Sequence, residues 1–296
     1  MRGGQRDSRP DRHLCRNPVG LFREAPALNS AAVGIFDSGM GGLTVMRALK
    51  ARLPGESFVY LGDTARLPYG TKSADTVTRY AVQASAALMS HGIKLLVVAC
   101  NTASAAAVPT LMEKLAPLPV VGVIEPGAQA AVAAAPDGPI AVIATEGTVK
   151  GGAYVRAIQE RAPHMPVVQQ ACPLFVALAE EGLRDGPITE LAAHRYLDPV
   201  LATMPRPRGL VLGCTHFPVL KETIAKVAGP DLVLIDSAET TATAVENILR
   251  EKSLLNDGGA RPPRFLATDA PGRFAHLGEI FLGEPIDPGS VTLVDL

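Results

Sequence analysis

Two stretches end an apolar run in a cysteine and then in polar side chains: LLVVACNTAS at 95–104 and LVLGCTHFP at 210–218. An apolar run of this length, closed by polar residues, reads as a buried strand. In parallel α/β sheets, ligands gather at the carboxyl ends of the strands. Each stretch would then deliver a thiol, Cys100 or Cys214, to such an end. Asn101 and Thr102 follow the first thiol, Thr215 and His216 the second. A cysteine with an ordinary pKa of about 8.5 has thiol and thiolate both within reach near neutral pH. Two such groups on opposite sides of one small molecule suit the inversion of a stereocentre that carries an acidic C–H. One sulfur removes the proton from one face, and the other returns a proton to the opposite face. The reaction runs both ways, so the protonation state belongs to the pair. Asp37, Glu180 and His216 are candidates to relay protons and bias that balance. Ser38, Asn101, Thr102 and Thr215 are candidates to hold carboxylates and an amine.

Other readings compete for the same residues. Most cysteines that follow an apolar strand are small buried hydrophobes, which is the reading for Cys172 in QACPLF. Zinc would draw on Cys214 and His216. However, Cys-x-His with one distant Cys matches no common zinc spacing, and the chain has no C-x-x-C. A cysteine hydrolase with Cys214 as nucleophile and His216 as base leaves Cys100 and its Asn-Thr unexplained.

Two further motifs sit between strand and helix. In FDSGMGGLT at 36–44, Gly39, Gly41 and Gly42 permit a sharp turn, and the following helix start can hold an anion. The spacing departs from G-x-G-x-x-G, which disfavours a dinucleotide. Asp37 and Ser38 fall at the strand's carboxyl end. GDTARLPYG at 62–70 is a loop by its Gly and Pro content. Asp63 is a local hydrogen-bonding residue there, and Tyr69 and Gly70 are candidates to present a hydroxyl or backbone N–H to a polar ligand.

The elements that must position these residues alternate. Strands are expected at VGIF (33–36), SFVYLGD (57–63), LLVVA (95–99), PVVGVI (119–124), IAVIA (140–144), PVVQQAC (166–172) and GLVLG (209–213). Helices are expected at 43–53, 73–90, 103–115, 151–162, 174–181 and 189–204, with another beginning near Pro218. Alternation of this kind predicts an α/β fold with parallel sheets and right-handed crossovers. The halves also echo each other: IFDSGMGGLT against IATEGTVKGG, VVACNTAS against VLGCTHFP. Two pseudo-symmetric parallel-sheet domains with the active site in the cleft between them are therefore expected.

The chain has 296 residues, is 47% apolar and carries a net charge of −1. That length accommodates about two domains. The charge balance gives no case for nucleic acid, and no apolar run approaches the ~18 residues of a membrane span. Cys15, Cys100, Cys172 and Cys214 are widely spaced and read as reduced cytoplasmic thiols. Residues 1–32 carry six Arg, few large apolar side chains and no signal-peptide core. They are read as a disordered N-terminal extension.

FDSGMGGLT, GDTARLPYG, VACNTAS, GCTHFP and IDSAE, in this order, closely resemble the glutamate racemase branch of the aspartate/glutamate racemase family. The resemblance runs from about residue 33 into the C-terminal region. It implies a cofactor-independent, metal-free isomerase that interconverts L- and D-glutamate and supplies D-glutamate for peptidoglycan synthesis, cell wall biogenesis and cell shape. It implies that Cys100 handles the α-proton of D-glutamate with help from Asp37. Cys214 would handle that of L-glutamate with help from His216 and Glu180, or from the adjacent Glu181. Substrate would be held by Asp37, Ser38, Tyr69, Gly70, Asn101, Thr102, Thr215 and His216. The first domain would comprise 33–126 plus 240–296, and the second 127–239. A homodimer is expected. The alternatives are aspartate racemase and a protein acting chiefly by binding a partner such as DNA gyrase.

Overall fold

The structure is a computed structural model and describes residues 28–296. The elements follow in chain order, beginning with β1 (Ala32–Asp37), α1 (Leu43–Arg52), β2 (Phe58–Gly62), α2 (Ala74–Ser90) and β3 (Ile93–Val98). Next come α3 (Asn101–Leu115), β4 (Val120–Gly122), α4 (Ile124–Ala134), β5 (Ile140–Ala144), α5 (Glu146–Gly151), α6 (Ala153–Arg161) and β6 (Val167–Ala171). The chain continues with α7 (Pro173–Glu180), α8 (Pro187–Leu201), β7 (Gly209–Gly213), α9 (Lys221–Ala228), β8 (Val233–Asp236) and α10 (Ser237–Glu251). It closes with β9 (Arg264–Ala267), α11 (Pro271–Leu282) and β10 (Val291–Leu293).

Among the described residues the strands form two sheets, parallel throughout, in the orders β10-β9-β2-β1-β3-β4 and β6-β5-β7-β8. The inner strands β1, β2, β3, β5 and β7 are buried along their whole length. This explains why their sequences are continuous apolar runs rather than alternating ones: helices cover both faces. The edge strand β6 is only half-buried. One hydrophobic cluster includes Ile35 and Tyr60 of the first sheet together with Ile143 and Leu212 of the second. Shared apolar packing therefore joins the two layers. Among the described residues no helix is long and apolar enough to cross a membrane.

The structure departs from the sequence reading at three places. The apolar run PVVGVI is strand only as far as Gly122, and Ile124 already opens α4. Pro126 lies in the first helical turn, where its missing N–H is tolerated. The helix expected at 151–162 is α6, and a further short helix, α5, precedes it unforeseen, the two separated by Gly152 at φ +61°. The expected disordered extension, with Cys15, lies outside the described residues up to residue 27. From Leu28 the chain belongs to the fold, with a turn at Leu28–Ser30 and the start of β1 at Ala32. The Asn29 and Ser30 carbonyls accept hydrogen bonds from Lys94 Nζ (2.6 Å) and Arg261 (2.7 Å).

Lys94 is wholly buried and anchors this edge. Its ammonium meets Glu56 Oε2 at 2.6 Å and donates to the Asn29 and Leu254 carbonyls, while Glu56 Oε1 accepts from Asn256 N–H at 2.8 Å. One ion pair thus ties the beginning of the fold to the segment after α10. Replacing Lys94 with Met strands the buried Glu56 carboxylate, and loss of one partner of such a pair costs about 3–5 kcal/mol. Denaturant unfolding of Lys94→Met should show a loss of that order. A midpoint equal to wild type would mean that the pair carries no net stability.

Candidate active site

Each sheet has one place where the winding reverses. In the first, β2 lies on one side of β1 and β3 on the other; in the second, β6 and β7 flank β5 in the same way. The crevice beyond the carboxyl ends of the strands at such a point is where open α/β sheets bind ligands. The register then places the side chains. Phe36 pairs with Val98, two residues before Ser38 and Cys100. Ala144 pairs with Gly213, one residue before Thr145 and Cys214. A cavity of about 320 Å³ lies between the two reversal points, and its wall includes both Cys100 and Cys214. The two thiols come from different sheets and face one space.

Asp37, Cys100, Cys214 and His216 are 0%, 5%, 5% and 4% exposed. Cys100 caps the N-terminus of α3, where its sulfur accepts from Ala103 N–H at 3.4 Å; the thiol donates to Ser38 Oγ at 3.6 Å. Burial pushes the Cys100 thiol up, the Asp37 charge adds to this, and together they outweigh the two hydrogen bonds, leaving it at about 12. Cys100 therefore rests as a protonated thiol. Burial also raises the Asp37 carboxyl, against the opposing charge of His216 and the backbone N–H groups of Gly42, Gly39 and Ser38. Asp37 Oδ2 accepts from Gly39 N–H at 3.0 Å, so Ser38, not Asp37, is the hydrogen-bond partner of the Cys100 sulfur.

On the other side a chain of three groups runs inward. Glu180 Oε1 lies 3.1 Å from His216 Nε2, and His216 Nδ1 lies 3.8 Å from Cys214 Sγ. Burial disfavours a charged imidazole, yet its bonds to Cys214 and Glu180, and their negative charge, prevail and push His216 up to about 10. The same bond to His216 pulls the Glu180 carboxyl down against its partial burial, with Arg273 helping. Of the neighbouring acids, Glu180 reaches the imidazole and Glu181 is exposed. Phe281 of α11 meets the His216 ring edge-on at 5.1 Å. Gly41 lies so close that a Cβ there would stand 2.6 Å from the ring and from Thr215 Oγ1.

The rest of the wall holds Ser38, Tyr69, Gly70, Asn101, Thr102 and Thr215; Asp37, also expected to hold substrate, is wholly buried and is not part of the wall. Tyr69 differs in detail, because its hydroxyl is donated to Asp63 and its phenol is pushed up by burial and by that carboxylate. This leaves its ring and backbone, not the hydroxyl, for the cavity. Cys172 is wholly buried with a thiol raised by burial, as expected of a core cysteine. Sequence reasoning missed Thr145. It caps α5, and its hydroxyl lies 2.9 Å from that of Thr102 and 3.1 Å from that of Thr148, bridging the two domains at the cavity. The available signal was its place directly after the apolar run IAVIA. Among the described residues no group of three or more His, Cys, Asp or Glu is placed to hold a metal ion.

The family model described as Asp/Glu/Hydantoin racemase matches residues 40–245. The chain belongs to the Asp/Glu/Hydantoin racemase family. Within it, the glutamate racemase of Geobacter metallireducens is 49% identical over 269 residues, covering 90% of this chain and 97% of its own. A crystal structure of the Francisella tularensis glutamate racemase in complex with D-glutamate is similar with a TM-score of 0.83 at 37% identity, covering 90% of this chain and 98% of that one. The Bacillus anthracis isoform RacE1 gives 0.86 at 38% identity with the same coverage.

The raised His216 has a consequence for stability in this racemase-family chain. A folded pKa near 10 against an unfolded value near 6.5 means that the imidazolium's contribution is complete below about pH 6.5 and fades as pH rises through 10. An Asn at 216 takes up no proton. Denaturant unfolding at pH 6, 8 and 10 should therefore show the difference between wild type and His216→Asn shrinking with rising pH. A difference independent of pH would contradict the charged chain.

Proposed function

We propose that this chain interconverts L- and D-glutamate by proton transfer between two cysteines, without a cofactor, and so supplies D-glutamate for peptidoglycan synthesis. The reading is carried by one observation, two thiols from facing reversal points that wall the same 320 Å³ cavity. The hydroxyls and amide around them provide the donors that two carboxylates require, and the glutamate racemases among the relatives support glutamate as the amino acid.

In the L-to-D direction the Cys214 sulfur, as thiolate, takes the α-proton, and the Cys100 S–H gives its own proton to the opposite face. The electron pair freed at the α-carbon is held on the adjacent carboxylate until the new C–H bond forms. The turnover ends with Cys214 as thiol and Cys100 as thiolate, and the reverse direction runs from that state. His216 supplies positive charge beside Cys214 Sγ, with Glu180 holding the ring. On the Cys100 side, the N-terminus of α3, through Ala103 N–H, and the Ser38 hydroxyl meet the sulfur. Donors placed in this way favour the charge that appears there. The Asp37 charge raises the proton affinity of Cys100 and so assists it as the base in the D-to-L direction.

Incubating the protein with L-glutamate in D2O, with no cofactor or metal added, tests this. The α-proton NMR signal should disappear and the optical rotation should decay to zero. Cys100→Ser and Cys214→Ser should each lower racemisation by about 10²–10⁴-fold, the range for loss of a positioned acid or base. Exchange with aspartate but not glutamate would reassign the substrate, and no exchange with either would overturn the reading.

A further inference from the structure

Tyr154 contributes nothing to the cavity wall, yet it touches the chain beside both thiols. It stands on α6 in the second domain and is wholly buried. Its ring lies in a slot made by two glycines. A Cβ on Gly127 would stand 3.2 Å from the ring, and one on Gly213, the residue before Cys214, would stand 3.1 Å from it. Its hydroxyl crosses to the first domain and donates to Oδ1 of Asn101, the residue after Cys100, at 2.8 Å. Burial raises the phenol and outweighs a hydrogen bond from the Ser237 hydroxyl, with the Cys214 and Asp236 charges acting in the same direction as burial, so it remains a donor at neutral pH. Asn101 is itself buried in the cavity wall, and its Nδ2 has no protein partner among the described residues. A buried amide with its oxygen satisfied and its nitrogen unpaired is incomplete until an acceptor arrives.

We propose that Tyr154 is a positioning residue: by holding Asn101 Oδ1, it turns the amide so that Nδ2 donates to a carboxylate oxygen of the amino-acid substrate. The same bond spans the cleft between the residues that adjoin the two thiols and holds the domains at the separation that proton transfer needs. This inference rests on the proposed racemase reading, because it requires a carboxylate ligand in the cavity.

Tyr154→Phe keeps the ring in its slot and removes the hydroxyl, and with it the donor to Asn101 and the contact with Ser237. Without it the amide turns freely, and loss of one hydrogen bond to a charged ligand corresponds to about a tenfold weakening. The KM for glutamate in Tyr154→Phe should rise about tenfold, with a smaller change in kcat and a modest loss of thermal stability from the buried partners left unpaired. Damage that is merely structural would lower the active fraction, hence kcat, and leave KM alone. Asn101→Ala should raise KM at least as much, and Tyr154→Phe added to it should do nothing more. Asn101→Asp, which still accepts from Tyr154 but offers no donor, should behave like Asn101→Ala; it tests the orientation even where Tyr154→Phe folds poorly. A wild-type KM in Tyr154→Phe or Asn101→Asp, or effects of Tyr154→Phe and Asn101→Ala that multiply, would overturn the assignment. Absence of wild-type turnover in the same assay would instead overturn the racemase reading, and this inference with it.

Discussion

An ionised group removed from water must find a compensating partner or give up its charge, and this cavity buries Cys100 and His216 within one small space. Each solves the problem differently. His216 keeps its proton because Cys214 stands on one nitrogen and Glu180 on the other. Cys100, with only a hydroxyl and one helix N–H, stays neutral. The asymmetry is chemically useful: a neutral thiol and a charged imidazole stand across one substrate-sized gap. Environments that hold neighbouring titratable groups in different charge states are what acid and base assignments require.

That arrangement can be held only by rigid parts, and the two sheets supply them. Both cysteines follow central strands of parallel sheets, where the backbone is hydrogen-bonded on both sides and buried on both faces. The remaining freedom is the placement of one domain against the other. Contacts cluster at that joint: the Thr102, Thr145 and Thr148 hydroxyls, Gly41 against His216, Phe281 on the imidazole, and Tyr154 on Asn101. The glycines belong to the same logic, since a single Cβ at Gly41 would collide with the imidazole and with Thr215.

How much of this was legible in the sequence follows from the range of each interaction. The strands announced themselves because central parallel strands are apolar throughout, and the cysteines were visible because they break those runs. The paired motifs were enough for the fold class and for most of the cavity wall. What stayed hidden depends on contacts distant in sequence. Glu180 and Glu181 are equivalent until α7 is turned against His216. Thr145 drew no notice until Thr102 met it from the other domain. Tyr69 looked like an open hydroxyl because Asp63, six residues earlier, read only as a turn residue. Tyr154 fell inside an expected helix, but its bond to Asn101, 53 residues away, could not be read from that helix.

The central claim is that two different groups act on opposite faces of one carbon, and the position of deuterium tests it most directly. L-Glutamate is allowed to react in D2O only to low conversion, and the enantiomers are separated and weighed by mass spectrometry. The account predicts D-glutamate carrying deuterium at the α-carbon while the recovered L-glutamate keeps its original hydrogen, because the proton is removed by one sulfur and replaced from the other. The same experiment from D-glutamate should give the mirror result. Early product that retains the substrate's own α-hydrogen, or deuterium spread equally into both enantiomers from the start, would mean that a single base serves both faces and would contradict the account.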